Sequence, residues 1–140
     1  MYFNWLFAYT EFVQFPVNMA KSVLIVDDNE HLRVILASIL RFSGYEIFEA
    51  ESGTQAIEKA LSAKPNLILL DLDLTDMSGL DAARVIRKNS TTANIPIIAC
   101  SAWSGREWRE KALSAGMDDY LQKPIPSAVI KAKIEQFIRP

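Results

Sequence analysis

The sequence predicts an α/β protein: a doubly wound, five-stranded parallel sheet with five helices shared between its two faces. Three observations predict it. From Lys21 onward, short apolar runs alternate with stretches of helical periodicity, strand then helix. The runs Val23–Val26, Leu67–Leu70 and Ile97–Cys100 are continuously apolar instead of alternating, as strands covered on both faces are. With 140 residues, half of them hydrophobic, the chain suffices for one core and leaves little for a second.

Taken in order, the first strand is Val23–Val26, followed at once by Asp27 and Asp28. A helix is expected from about Asn29 to Ser43. There Leu32, Ile35, Leu36, Ile39 and Leu40 recur at three- and four-residue spacing, and Gly44 supplies the stop. Tyr45–Ala50 reads as the second strand. Thr54–Ala63 is the second helix, with Ala56, Ile57, Ala60 and Leu61 along one face, halted ahead of Pro65. The third strand, Asn66–Leu70, ends in Asp71. A loop leads to Gly79 and to a helix over Leu80–Lys88 built on Ala83, Val85 and Ile86. Ile95–Cys100 is the fourth strand, where Pro96 is tolerable near the start. Ser104-Gly105-Arg106-Glu107 has the form of a capping box opening a helix to Ala115, with Gly116 just beyond. Asp118-Asp119 reads as a solvated turn before a short fifth strand around Tyr120–Leu121. Lys123-Pro124 follows, then a last helix over Ser127–Ile138 with Val129, Ile130, the Lys133 stem, Ile134 and Phe137 on one stripe.

The charge balance is 15 basic against 17 acidic residues, which gives no electrostatic footprint for nucleic acid. The single cysteine, Cys100, closes an apolar run and reads as a buried thiol in a reducing compartment, the cytoplasm. No Cys/His cluster suggests zinc. His31, the one histidine, reads as an exposed helix residue.

Residues 1–20 form an aromatic-rich extension ahead of a domain spanning 21–140. Seven aromatics fall between Tyr2 and Phe15, with Glu11 the one charged side chain before Lys21. Asn4, Thr10, Glu11, Gln14 and Pro16 interrupt the segment, so no membrane span is expected, and it lacks the basic start and small-residue cleavage site of a signal peptide. An interfacial or partner-binding arm, a packing extension, and upstream sequence brought in by a wrong start assignment all stay open. Met19-Ala20-Lys21-Ser22 would make an ordinary start, which favours the last.

In a doubly wound sheet, ligands gather beyond the carboxyl ends of the strands. Asp27 and Asp28 follow the first strand, Asp71 the third, Ser101 the fourth and Lys123 the fifth. Three carboxylates at one rim repel one another unless a cation holds them. A hard divalent ion with oxygen ligands, Mg²⁺ or Mn²⁺, is the expected partner. An ammonium and a hydroxyl at the same rim complete a site suited to a phosphoryl group, whose equatorial oxygens they would engage.

These residues make the sequence similar to the receiver domains of two-component response regulators, over essentially all of residues 21–138. The resemblance rests on Val23-Leu24-Ile25-Val26-Asp27-Asp28-Asn29, on Leu69-Leu70-Asp71 with Gly79 eight residues on, on Ser101-Ala102, and on Ala115-Gly116-Met117-Asp118-Asp119-Tyr120-Leu121 followed by Lys123-Pro124. It implies a flavodoxin-like strand order 2-1-3-4-5 and a single-domain signalling switch of the CheY-like type. Asp71 would accept a phosphoryl group from a histidine kinase or a histidine phosphotransfer protein. Asp28 would bind Mg²⁺ directly, Asp27 mainly through water, and Asp73 through its backbone carbonyl. Lys123 would pair with the phosphoryl group, and the Lys123–Pro124 bond would be cis. Ser101 would swing toward the phosphoryl group while Tyr120 rotates inward. The face formed by the fourth helix, fifth strand and fifth helix would read the change out to a downstream protein, since no output domain follows Pro140 in the sequence.

Two positions depart from the pattern. Thr75 stands where the family often has Pro, and Trp103 lies two residues beyond Ser101, next to Ala102, where an indole would shield the site from hydrolytic water. Ala102, Trp103 and Thr75 are therefore expected to tune the lifetime of a phosphorylated state. The segment Leu69–Thr75 also resembles the first motif of haloacid-dehalogenase-type phosphatases, in which Asp73 would be a general acid and base. That motif normally opens its domain, whereas two strands and two helices precede it here. Its late acidic pair should also follow the lysine, whereas Asp118-Asp119 precede Lys123. A receiver reduced to a docking module is disfavoured by the complete set Asp27, Asp28, Asp71, Ser101 and Lys123.

Overall fold

The computed structural model describes residues 20–139. The expectations for residues 1–18 lie outside the described residues. Five strands, β1 (Ser22–Val26), β2 (Glu46–Ala50), β3 (Leu67–Asp71), β4 (Ile97–Ser101) and β5 (Asp119–Gln122), alternate with five helices. These are α1 (Glu30–Phe42), α2 (Gly53–Ala63), α3 (Gly79–Lys88), α4 (Arg106–Ser114) and α5 (Ser127–Phe137). All strand pairs are parallel and the order is β2-β1-β3-β4-β5, as the resemblance implied.

The apolar runs split by strand periodicity into two cores. Leu24, Val26, Ile68, Leu70 and Ala99 face Ala56, Ala60, Ala83, Ile86 and Ala112 of α2, α3 and α4. Val23, Ile25, Leu67, Leu69, Ile98 and Cys100 face Ala37 and Leu40 of α1 and Ile130 and Ile134 of α5. Alternate residues therefore serve opposite layers, which is why no polar residue interrupts these strands. Alanines dominate the helix side of the first core and let three helices lie close to the sheet. Burial pushes the Cys100 thiol up to about 12. It is expected to ignore Ellman's reagent in native protein and to react once the chain is unfolded; reaction at the native state would contradict this packing.

Helix starts follow local chemistry. The side chain of Asn29 accepts from Leu32 N–H at 3.1 Å, so Asn29 caps α1 and leaves both preceding aspartates free of that duty. Ser52 does the same for α2 and Ser78 for α3. At α4 the expected capping box does not form. Gly105 is the capping residue, with φ of +105° and no side-chain bond, so Ser104 lies one residue ahead of the cap.

Two further expectations are corrected. Asp118 is an exposed bend residue, as expected, but Asp119 is no part of a solvated turn. Asp118 accepts from Ile97 N–H and from Arg87, each at 2.8 Å. Asp119 is buried at the start of β5 and bridges Arg109 of α4 and Lys133 of α5, at 2.8 and 2.7 Å. Burial alone would raise its carboxyl. The Lys133 bond, the Tyr120 N–H and Arg109 outweigh burial and lower it. One carboxylate thereby ties α4, β5 and α5 into a single face. In α1, Leu32 and Ile35 share the predicted stripe but are half exposed. They overhang a groove lined on its far side by Pro124, Ile125 and Ile130. Among the described residues no helix is long and apolar enough to cross a membrane.

Candidate functional site

The register of the sheet brings the site together. Val26 pairs with Leu70, so the next residues, Asp27 and Asp71, emerge side by side. Asp71 pairs with Cys100, which places Ser101 one step further along β4, and Ser101 pairs with Gln122, which places Lys123 one step beyond β5. Five residues from four segments, Asp28 included, thus arrive at one rim without any long loop having to find them.

Ligand oxygens of Asp27, Asp28 and Asp71 lie within 4.8 Å of one another. Asp27 and Asp71 are buried, whereas Asp28 is exposed and has no cationic partner among the described residues. Lys123 Nζ donates to Asp27 Oδ2 at 2.7 Å and to Asp71 Oδ2 at 3.4 Å. Burial raises the Asp71 carboxyl above its ordinary value. The Asp73 N–H (3.1 Å to Oδ1) and Lys123 pull the other way, and the charge of Asp27 adds to the rise. Burial would lower the Lys123 ammonium, but its bond to Asp27 and the charges of Asp71 and Asp27 raise it overall. The rise at Asp71 comes mainly from burial, and the rise at Lys123 from the negative charge of Asp27 and Asp71 around it. An all-oxygen donor set with unneutralised charge and one exposed carboxylate suits a hard divalent cation.

The remaining predicted residues take defined places. Ser101 is fully buried, and its Oγ accepts from Trp103 N–H at 3.1 Å. The Lys123–Pro124 bond is cis, and Lys123 N–H donates to Ser101 carbonyl at 2.7 Å, fastening β5 to the end of β4. Tyr120 already lies inward, packed in the first core, with its hydroxyl donating to the Trp103 carbonyl. The Trp103 indole rests on Trp108 of α4, ring centroids 4.3 Å apart, and Lys111 caps Trp108 from 4.3 Å. Ala102, Asp73 and Thr75 are exposed around the rim. His31 is exposed, as expected.

Two contributors escaped the sequence reading. Arg33 of α1 donates through Nη1 to the Asp27 carbonyl at 2.7 Å and through Nε to Glu49 of β2 at 3.2 Å, bracing the β1 end. Asp76, in the loop after β3, accepts from Gly53 and Thr54 at the start of α2. Both act through contacts distant in sequence, and neither belongs to a local pattern that would have flagged it.

Comparison with known proteins agrees with this geometry. The family model described as response regulator receiver domain matches residues 23–135, and the chain belongs to that family of two-component signalling domains. It is 36% identical over 121 residues to the phosphate regulon transcriptional regulatory protein PhoB of Pseudomonas aeruginosa; the match takes in 86% of this chain and 53% of PhoB, so the chain spans about half the length of that relative. It is 39% identical over 116 residues to the chemotaxis protein CheY of Thermotoga maritima, covering 81% of this chain and 95% of CheY. Among solved structures, the receiver domain of the sensor histidine kinase PA1611 from Pseudomonas aeruginosa superposes with a TM-score of 0.79 at 33% identity, covering 85% of this chain and 98% of that one. That structure carries a magnesium ion coordinated in its active-site cleft. The family is a signalling domain and not a turnover enzyme, which sets the phosphatase alternative aside.

Proposed function

We propose that this domain is a phosphorylation switch in which Asp71 accepts a phosphoryl group from a phosphohistidine of a histidine kinase or phosphotransfer protein, in the cytoplasm. The observation that carries the reading is the convergence of the Asp27, Asp28 and Asp71 oxygens within 4.8 Å, with Lys123 on the first and last of them. Asp27 and Asp28, with Asp71 and the Asp73 backbone carbonyl, would hold Mg²⁺ or Mn²⁺, which when bound supplies charge neutralisation for the transferring group. An Asp71 carboxylate oxygen attacks phosphorus; the new P–O bond forms as the P–N bond breaks, and the departing imidazole keeps the electron pair and takes up a proton. Lys123 and the Ser101 hydroxyl then engage phosphoryl oxygens. Ser101 already accepts from Trp103 N–H, so its own proton is available to donate.

Drawing Ser101 toward the phosphoryl group pulls on the loop that also holds Tyr120 through the Trp103 carbonyl. The switch is a shift between two packings of this loop, read by a downstream protein at the α4–β5–α5 face. Incubation with Mg²⁺ and acetyl phosphate tests the reading. Base-labile label confined to wild type and missing from Asp71→Asn supports it, and equal labelling of the two sinks it.

Trp103, Ala102 and Thr75 tune how long the phosphoryl group stays. The indole belongs to the residue two beyond Ser101 and is anchored on Trp108 of α4. Trp103→Ala is expected to speed dephosphorylation several-fold, followed as loss of label after acetyl phosphate is removed; an unchanged decay would dismiss the shielding role.

A further inference from the structure

Resting on the metal-binding reading above, we propose that Asp76 is a positioning residue for the divalent-cation site. It fastens the loop 72–78 to the first turn of α2, so that Asp73 stays in place beside Asp71. Asp76 Oδ1 accepts from Gly53 N–H at 2.8 Å, and Oδ2 accepts from Thr54 N–H at 2.9 Å and from the Thr54 hydroxyl at 2.6 Å. Gly53 and Thr54 open α2, where amide N–H groups have no acceptor within the helix. The helix already has an ordinary cap, Ser52, which serves Gln55 N–H at 3.1 Å. Asp76 is therefore a second cap, supplied from another segment, and a helix start favours its negative charge. The Thr54 hydroxyl and the two amides hold the carboxyl down to about 2, so the joint stays closed across the neutral range.

Steric fit points the same way. A β-carbon added at Gly53 would lie 2.3 Å from Met77 Cγ, 2.8 Å from its Sδ and 3.3 Å from Asp76 Oδ1. The loop thus seats against bare backbone at the one residue that permits it. On the other side of the joint, Asp73 N–H donates to Asp71 Oδ1 at 3.1 Å, and Asp73 bridges Ser78 across the base of the loop. Thr75, between Asp73 and Asp76, lacks the ring by which a proline would fix the backbone. A restraint from outside the loop takes the place of a restraint within it. Residues that orient metal ligands from behind act in this way.

Mn²⁺ binding, read as loss of the free-ion electron paramagnetic resonance signal, tests this without any phosphorylation, on protein shown by circular dichroism to be folded. Asp76→Ala is expected to weaken Mn²⁺ binding by about tenfold. Asp76→Asn should fall between the two, because its amide keeps one acceptor oxygen. Gly53→Ala, which must displace the Met77 side chain and crowds Asp76 Oδ1, should weaken binding less than Asp76→Ala does. Ser52→Ala removes the ordinary cap of the same helix and should leave Mn²⁺ affinity unchanged, separating positioning from mere loss of helix stability. The proposal is overturned if wild type binds Mn²⁺ and Asp76→Ala binds it equally well, or if Ser52→Ala weakens it as much. If wild type does not bind, or Asp28→Asn binds as tightly as wild type, the metal reading itself falls and takes this inference with it.

Discussion

Lys123→Met is expected to cost the protein about 2 kcal/mol of stability in EDTA, because it leaves two buried carboxylates with no cation between them. The lysine donates to Asp27 at 2.7 Å and lies 3.4 Å from Asp71, and those two residues are only 7% and 6% exposed. The side chain of Lys123 is itself 23% exposed, so part of the loss is screened, and the figure sits below that for a fully buried pair. Millimolar Mg²⁺ should restore most of it, since a site freed of its ammonium still offers three carboxylates, and a ligand at a hundred times its dissociation constant adds about 2.7 kcal/mol. Adding Asp71→Asn to Lys123→Met should recover part of the loss in EDTA, because one of the two repelling charges is gone. Urea denaturation of the three proteins, with and without Mg²⁺, measures all of this. A Lys123→Met variant as stable as wild type in EDTA would mean that the ammonium does not offset the cluster.

The same cluster sets a pH dependence. The folded-state value of Asp71 is raised, so folded protein binds this proton more readily than unfolded protein does. Its ionisation costs stability at neutral pH, and the cost is relieved as pH falls through the raised folded-state value. Lys123 runs the other way: its raised value means stability present below 10.5 and lost as pH rises through the folded value. Asp71→Asn should therefore be more stable than wild type in EDTA at pH 7 and lose that advantage as pH falls through the raised Asp71 value.

Much of this was legible in the sequence, for reasons that differ by element. The strands were visible because burial on both faces demands unbroken apolar runs, and Leu67–Leu70 cannot be hidden in any other way. The rim residues were visible because a parallel sheet sends every strand end to one edge, so Asp71 and Lys123 meet although they lie far apart in the chain. Periodicity was weaker evidence. It placed Leu32 and Ile35 on one face of α1 but carried no information on what covers that face, and half of it stays open. The pattern Ser104-Gly105-Arg106-Glu107 failed because the helix starts one residue later, so that Gly105, with no side chain to accept a bond, holds the capping position. Asp119 and Asp76 were misjudged or missed because their partners, Lys133 and Thr54, are set by tertiary packing and not by local spacing.

Gly79→Ala is the substitution that should damage fold and site together. A β-carbon at Gly79 would stand 2.3 Å from the Asp71 carbonyl oxygen, 2.8 Å from Leu72 Cα and 3.0 Å from the Asp71 carbonyl carbon. All three are backbone atoms at the end of the central strand, which neighbours on both sides hold in register. The strand cannot yield, so the start of α3 must withdraw. That breaks the bond from Gly79 N–H to the Leu72 carbonyl at 2.9 Å and drags loop 72–78 off its place beside Asp71. Alanine gains about 1 kcal/mol as a helix former, but a clash with fixed backbone costs about 3 kcal/mol or more, so a net loss of about 2 kcal/mol is expected. Phosphoryl uptake from acetyl phosphate should fall to near background even where circular dichroism shows the protein still folded. Gly105→Ala is the contrast. Nothing lies within 4 Å of its added carbon, and the strain of φ at +105° with ψ at 157° should cost about 1–3 kcal/mol. Uptake should survive there. Equal uptake by Gly79→Ala and wild type would mean that the approach of α3 to the Asp71 backbone does not shape the site.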